Sequence, residues 1–314
     1  MNFTFLEKNK ITTNYPSLYI LLAEITRLAP QHETFLDRSF CSRSTELMVF
    51  SDNIAAKIIL ILGHNLEQAC LDYLWMCKMV LEEEIYFRRS GEYRLKSMEQ
   101  AIEEVYSNPD YMKRYMNGLL ISQVLWVNHT RSMYFYKNNF LSSLSKNSRH
   151  LEIGPGHGLL LSFANESEQA LNLSALDISD TSLSLTKHSF DRIAQGAVFQ
   201  KITADIMKPV ELDSKFDSIV MSELLEHLEE PARALIIARN MMNSNAKLFL
   251  NIPINSPAAD HIYLFSHPNE VLEMVTDTGF EIVDSMSLPM TGYELQECVD
   301  RKLTISCVVV AVKK

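Results

Sequence analysis

Glycine is scarce in this sequence, with nine in 314 residues, less than half the usual share of about 7%. Such a chain has few positions where the backbone turns left-handed, which excludes glycine-rich linkers and low-complexity repeats. Cysteine is sparse as well. Cys41, Cys70, Cys77, Cys298 and Cys307 are odd in number and contain no Cys-x-x-Cys pair. That pattern argues against a disulfide framework or a zinc site and for free thiols in a reducing compartment. Long apolar runs are missing too: the most apolar stretch, 55–63, is interrupted by Lys57 and falls far short of the roughly 20 residues a spanning helix needs. The first residues lack a basic region followed by an apolar core, so no secretory signal is expected.

Positive charge is also in deficit, 29 Lys and Arg against 39 Asp and Glu, a net of -10. Residues 1–147 hold sixteen of each sign, so the thirteen against twenty-three in 148–314 carry the whole excess. An acidic domain repels a phosphate backbone, which disfavours a nucleic-acid partner. With 47% hydrophobic and 22% charged residues, the chain can bury a large core. These features predict a soluble, cytoplasmic protein with no membrane partner, and they leave room for a homodimer.

Between residues 1 and 147, proline occurs only at 16, 30 and 109, and glycine only at 63, 91 and 118. So few breakers predict an all-helical region, with helices near 17–29, 45–62, 65–87, 96–107, 109–127 and 129–145. From residue 148 the pattern alternates strand and helix. Strands are expected at 149–153, 172–178, 197–202, 216–222, 247–252, 280–286 and 305–312, with helices near 157–166, 180–194, 231–242 and 268–278. Such alternation implies a mostly parallel sheet with helices on both faces, the last two strands forming an antiparallel pair. The predicted organisation is α/β: a helical cap domain over 1–147 and a sheet domain over 148–314.

Three of the nine glycines fall together in Arg149-His150-Leu151-Glu152-Ile153-Gly154-Pro155-Gly156-His157-Gly158, where a strand should turn into a helix. A phosphate-binding loop would end in Gly-Lys-Ser/Thr, and a dinucleotide fingerprint would space its glycines Gly-x-Gly-x-x-Gly. Neither fits. The acidic-x-Gly-x-Gly-x-Gly pattern resembles the first motif of class I S-adenosylmethionine (SAM) dependent methyltransferases. The resemblance covers 148–314, and it implies a seven-stranded Rossmann-like sheet with SAM as cofactor.

On that resemblance, Glu152, Gly154, Pro155, Gly156 and Gly158 would take the methionine part of SAM. Asp177, with Ile178, would hold the ribose at the end of the second strand. Asp205 and Ile206 would flank the adenine, and Ser222 and Glu223 at the end of the fourth strand would complete the cofactor site. The segment Ser222-Glu223-Leu224-Leu225-Glu226-His227 resembles that of small-molecule methyltransferases such as the ubiquinone O-methyltransferase group, and makes His227 a candidate general base. Glu223, Glu226 and His227, with the later His261, also resemble a divalent-metal set in that group and in small-RNA methyltransferases. Similar segments occur without metal, and none is assigned. The aromatic segment from Trp126 to Tyr136 precedes the first strand closely enough to cover the site, and adds His129 and Tyr134 as candidate catalytic residues.

The reading is a SAM-dependent methyltransferase acting on an oxygen or nitrogen of a small metabolite, as in secondary metabolism. Two alternatives stay open: a same-fold enzyme that cyclises SAM to an azetidine and releases methylthioadenosine, and a non-catalytic SAM-binding scaffold.

Overall fold

The computed structural model describes residues 11–314. Six longer helices come first: α1 Pro16–Leu28, α2 Glu33–Phe40, α3 Thr45–Leu62, α4 Leu66–Ser90, α5 Pro109–Leu125 and α6 Val127–Phe135. Local chemistry sets their ends. Ser44 accepts a hydrogen bond from Leu47 N at the start of α3, and Gly91, left-handed at φ 78°, ends α4. Asn108 caps α5 through Tyr111 N, and Pro109 occupies its first position. Between α4 and α5 a short helix, Met98–Ala101, runs into a π-helical turn, Ile102–Tyr106. Helix α2 is absent from the sequence expectation because its eight residues are too few to establish a period.

The second part reads β1 Arg149–Ile153, α7 Leu159–Asn165, β2 Asn172–Asp177, α8 Asp180–Ile193, β3 Gln200–Thr203, β4 Phe216–Ser222, α9 Pro231–Asn240, β5 Met242–Ile254, α10 Pro268–Asp277, β6 Phe280–Pro289, α11 Leu295–Asp300 and β7 Ile305–Lys313. The seven strands lie in the order β3-β2-β1-β4-β5-β7-β6. The first five are parallel, and β7 runs antiparallel between β5 and β6. The expected antiparallel pair is present, with the short α11 between its strands. The third strand begins at Gln200, three residues later than the sequence suggested, because only four residues find ladder partners on β2.

Period-two burial divides the sheet between two cores. Val220, Phe249, Val308 and Val310 join a cluster with α1, α3, α4, α5 and α6. Their neighbours Ile219, Met221, Leu248, Leu250 and Val309 join the opposite face with α9 and α10. The helical layer and one sheet face therefore share a single apolar core. Polar ties cross the same boundary: Lys57 pairs with Glu166, Asn128 Nδ2 donates to Ser306 Oγ at 3.0 Å, and Tyr136 Oη meets His150 Nε2 at 3.0 Å.

Helices α3 and α4, joined through a 3-10 turn at Gly63–Asn65, make a continuous stretch Thr45–Ser90. By length and composition it could cross a membrane, which differs from the sequence expectation because the helix carries on past Gly63. Half of its most apolar segment is buried inside the protein, as in the core helix of a folded domain.

Gly118 of α5 sits where α4 crosses: a Cβ there would lie 2.8 Å from both Cβ and Sδ of Met76. Gly118→Val is expected to destabilise the protein by about 1–3 kcal/mol through overpacking, against a helix-propensity gain of only a few tenths. Urea unfolding checks this, and Met76→Ala in the same chain should recover part of the loss.

Candidate active site

The glycine turn between β1 and α7 has the backbone its residues imply. Gly154, Gly156 and Gly158 have φ of 68°, 50° and 76°, the left-handed region where a Cβ is strained. Gly154 N donates to Leu176 O at 2.8 Å, and Thr186 Oγ1 donates to Gly156 O at 2.7 Å, which pins the turn to β2 and α8. Pro155 is buried within it. Just before the turn, Glu152 is buried and its Oε2 has no hydrogen-bond partner. Burial pushes its carboxyl well above the usual range.

Asp177 stands at the end of β2, where its Oδ1 accepts from Ser179 N at 2.8 Å and burial raises its pKa. Capping of α8 falls to Ser179, which accepts from Ser182 N. Asp180 is already inside the first turn. Ile178 is 69% exposed. After β3, Asp205 Oδ1 accepts from Met207 N at 2.9 Å and its Oδ2 lies 3.2 Å from Lys208 Nζ. Ile206 is buried in the apolar cluster of the outer sheet face.

The end of β4 is strained. Glu223 is a non-glycine residue at φ 53°, a conformation that persists only where neighbours enforce it. Asn251 of β5 does so twice: its carbonyl accepts from Glu223 N, and its Nδ2 donates to Glu223 Oε1, both at 2.8 Å. The same Nδ2 donates to Ser222 Oγ at 3.3 Å. Leu224 then packs on the glycine turn, its Cδ1 3.1 Å from the place a Cβ on Gly154 would take. The β4 loop and the glycine turn are thus in direct contact.

Beyond Leu224, Glu226 is fully buried with neither oxygen hydrogen-bonded. Glu226 Oε1 lies 3.6 Å from His227 Nε2 and 4.0 Å from His261 Nε2. One ligand atom from each of these residues lies within 4.8 Å of the others, so the three could be drawn onto one cation. Burial lifts the Glu223 carboxyl to about 8, and burial with the neighbouring Glu223 charge raises Glu226 well above its ordinary value. His261 is pushed down to about 4 by burial and by the charge of His227.

The helical layer reaches this cluster through residues that sequence reasoning did not single out as functional. Tyr115 Oη donates to Asp260 Oδ1 at 2.9 Å and Tyr106 Oη to Asp260 Oδ2 at 3.3 Å, while Asp260 O accepts from His227 Nδ1 at 3.0 Å. The helical spacing of Tyr111 and Tyr115 was legible, but a partner 145 residues away was not. His129 packs against Trp126 and comes within electrostatic reach of His157 in the glycine turn. Burial and the nearby His157 hold it at about 4, and its Nδ1 lies 3.2 Å from Ser122 Oγ. Tyr134 packs edge-on against Phe50 of α3, centroids 5.4 Å apart, in the shared core.

The profile of the family described as methyltransferase domain matches residues 129–285, half of the chain. A match of that extent, on this strand order and glycine turn, defines a class I SAM-dependent methyltransferase domain. The chain belongs to that methyltransferase-domain family. No curated protein matches the sequence. Among solved structures, the N-methyltransferase NodS from Bradyrhizobium japonicum WM9, in complex with S-adenosyl-L-homocysteine, superposes with a TM-score of 0.50. It has 15% identity, over 69% of this chain and 98% of that one. The [4+2]-cyclase SpnF gives 0.48 at 15% identity, over 58% and 80%.

The raised carboxyls make a signed prediction. A carboxyl whose folded pKa is raised contributes stability that is full below its unfolded pKa, near 4.5, and is lost as pH rises through the folded value, about 8 for Glu223. Glu223→Gln should therefore leave stability near pH 4.5 little changed and raise it by at least about 1 kcal/mol at pH 8.5. Urea titrations of the ligand-free protein at the two pH values measure this.

Proposed function

We propose that the protein is an enzyme that transfers the methyl group of SAM to an oxygen or nitrogen atom of a small molecule. The observation that carries the reading is the left-handed glycine turn beside the buried Glu152, whose Oε2 lacks any partner. The residues present fit the cofactor. An orphaned carboxylate oxygen suits its ammonium, and a turn without side chains lets its methionine part approach closely. Asp177, at the end of β2, would accept from the ribose hydroxyls, with the exposed Ile178 beside it. Asp205 and Ile206 would face the adenine, and Ser222 and Glu223 would border the methionine part.

SAM brings a methyl group on a sulfonium that is already a good leaving group, so the protein has chiefly to bind, align and dehydrate. His227 is the proposed general base. Its Nδ1 hydrogen is held by Asp260 O, which leaves Nε2 with a lone pair for an acceptor proton. Asp260 is in turn held by Tyr106 and Tyr115, so helical residues fix the base from the far side. Tyr134, packed on Phe50, receives a packing role in this scheme, and His129 a place beside the turn. The partner is a small-molecule acceptor and not a nucleic acid or a membrane. The setting is cytoplasmic, consistent with five free thiols.

The product distinguishes this reading from its rivals. Methyl transfer gives S-adenosylhomocysteine, cyclisation gives methylthioadenosine, and a scaffold leaves SAM unchanged. Asp177→Ala is expected to weaken SAM binding by about 1.5–3 kcal/mol, as for hydrogen bonds to a charged group. Calorimetry on the folded variant with unaltered affinity would remove the ribose assignment. No metal is obligatory in this scheme, so a chelator should leave turnover intact. Loss of activity restored by Mg²⁺ or Mn²⁺ would overturn that.

A further inference from the structure

Three hydrogen-bond acceptors face one another between the loops that follow β4 and β5. His261 Nδ1 lies 2.6 Å from Ser256 O, and His227 Nδ1 lies 3.0 Å from Asp260 O. A carbonyl only accepts, so each Nδ1 carries the ring hydrogen and each Nε2 presents a lone pair. Both Nε2 atoms look toward Glu226 Oε1, at 3.6 and 4.0 Å. Both Glu226 oxygens are buried and without a hydrogen-bond partner. A proton on Glu226 would serve one of the two imidazoles and leave the other unmet.

Charge around the cluster has one sign. Glu223 and Asp260 are close enough to raise the Glu226 carboxyl. Among the described residues, no lysine or arginine lies within ion-pair distance of any of the three carboxylates. Aromatic rings close the helical side. The Tyr93 ring is 5.8 Å from that of His261, and Tyr106 Oη is 3.4 Å from His227 Nδ1. Buried carboxylates with aromatic walls are the ordinary setting for an organic cation.

Resting on the methyl-transfer reading above, we propose that this tripod binds the acceptor and that the acceptor is an amine. Its ammonium donates to Glu226 Oε1, His227 Nε2 and His261 Nε2. The geometry selects that head group. An ammonium has three donors on one nitrogen, and hydrogen bonds of about 2.8 Å suit acceptors spaced this widely. A hydroxyl has one donor and leaves Glu226 uncompensated. A carboxylate or phosphate would add negative charge to a site that already has an excess. A divalent ion, with bonds of about 2.0–2.2 Å, would require the three atoms to be drawn closer together.

The chemistry balances. An ammonium nitrogen has no lone pair, so one N–H proton first passes to His227 Nε2. The His227 side chain is 18% exposed, against 7% for His261, which lets the proton go on to solvent. The amine lone pair then forms the new N–C bond as the C–S bond breaks. The bonding electrons leave on sulfur as S-adenosylhomocysteine, and the product is the N-methylated ammonium.

The test uses the full chain and a probe small enough to avoid shape selection, ¹³C-methylammonium, followed by saturation-transfer NMR beside methanol and acetate. Saturable binding of methylammonium, at least tenfold stronger than either neutral or anionic probe, is expected. Glu226→Gln should weaken it at least tenfold while calorimetry gives an unchanged S-adenosylhomocysteine affinity. His261→Asn carries the same expectation if Glu226→Gln does not fold. Absence of saturable binding, equal binding of methanol, or binding unaffected in a folded variant would each overturn the proposal. So would displacement of methylammonium by micromolar Mn²⁺, which would make the tripod a metal site. The parent reading fails separately: methylammonium binding without any affinity for SAM or S-adenosylhomocysteine would leave the ammonium site and remove methyl transfer.

Discussion

Burying a carboxylate away from water without a counter-charge costs several kcal/mol, and this protein does it at the carboxyl ends of two neighbouring interior strands, β1 and β4. Glu152 at the end of β1 and Glu226 after β4 are buried with an unpartnered oxygen, and Glu223 beside them is half-buried. A chain selected for stability alone would place apolar side chains there. Every other feature of the site serves to hold these groups in place. Asn251 clamps Glu223 into a left-handed conformation, Leu224 ties the β4 loop to the glycine turn, and α7 and α8 fix the turn itself. On the function and the inference proposed above, the missing positive charges are those that ligands would bring: the sulfonium and ammonium of SAM on one side and an ammonium acceptor on the other.

Holding such groups requires a rigid surround, and the fold supplies it by sharing one core between the helices and the sheet. The apolar cluster that contains Leu22 and Ile54 is the same one that contains Val220 and Phe249. A smaller cluster of Leu95, Ala101, Val105 and Ile262 joins the segment between α4 and α5 to the loop after β5. That segment also sends Tyr93 Oη to accept from Ser256 N, and Met98 N to Glu229 Oε1. The loop after β5 is consequently gripped through backbone as well as side chains, where its Ile262 N and Tyr263 N donate to the backbone carbonyl of the buried Glu226.

Much of this was legible in the sequence because it is local. A strand that breaks into three alternate glycines has few conformations open to it, so β1, the turn and the start of α7 follow from about ten residues. Strand β4 and the breaks at Asn108-Pro109 and before Pro231 are equally local. What was not legible depends on distance in the chain. Nothing near Asp260 says that Tyr115 will reach it, and nothing in the segment Trp126 to Tyr136 tells which of its side chains faces the turn. The aromatic character of that segment suggested a cover over the site. The structure divides it instead, sending His129 toward His157 and Tyr134 into the core against Phe50. Short helices escaped for a related reason: in α2 and α11, tertiary packing rather than a repeating pattern decides the backbone.

The position of His227 joins these levels. Its ring is oriented by a backbone carbonyl of Asp260, and the side chain of the same residue is held by two tyrosines from a different layer. A hydrogen bond to a carbonyl fixes the tautomer whatever the charge of the surroundings, whereas a carboxylate alone would favour the imidazolium. Here both contacts come from one residue, with the carboxylate engaged by Tyr115 at 2.9 Å and standing 3.6 Å from the imidazole. The tyrosines thus engage that carboxylate, and the backbone carbonyl, by taking the Nδ1 hydrogen, leaves Nε2 without one. A base needs that condition, since it must begin with a free lone pair. The helical layer, for which the sequence offered no recognisable pattern, is in this way tied chemically to the sheet that carries the family motif.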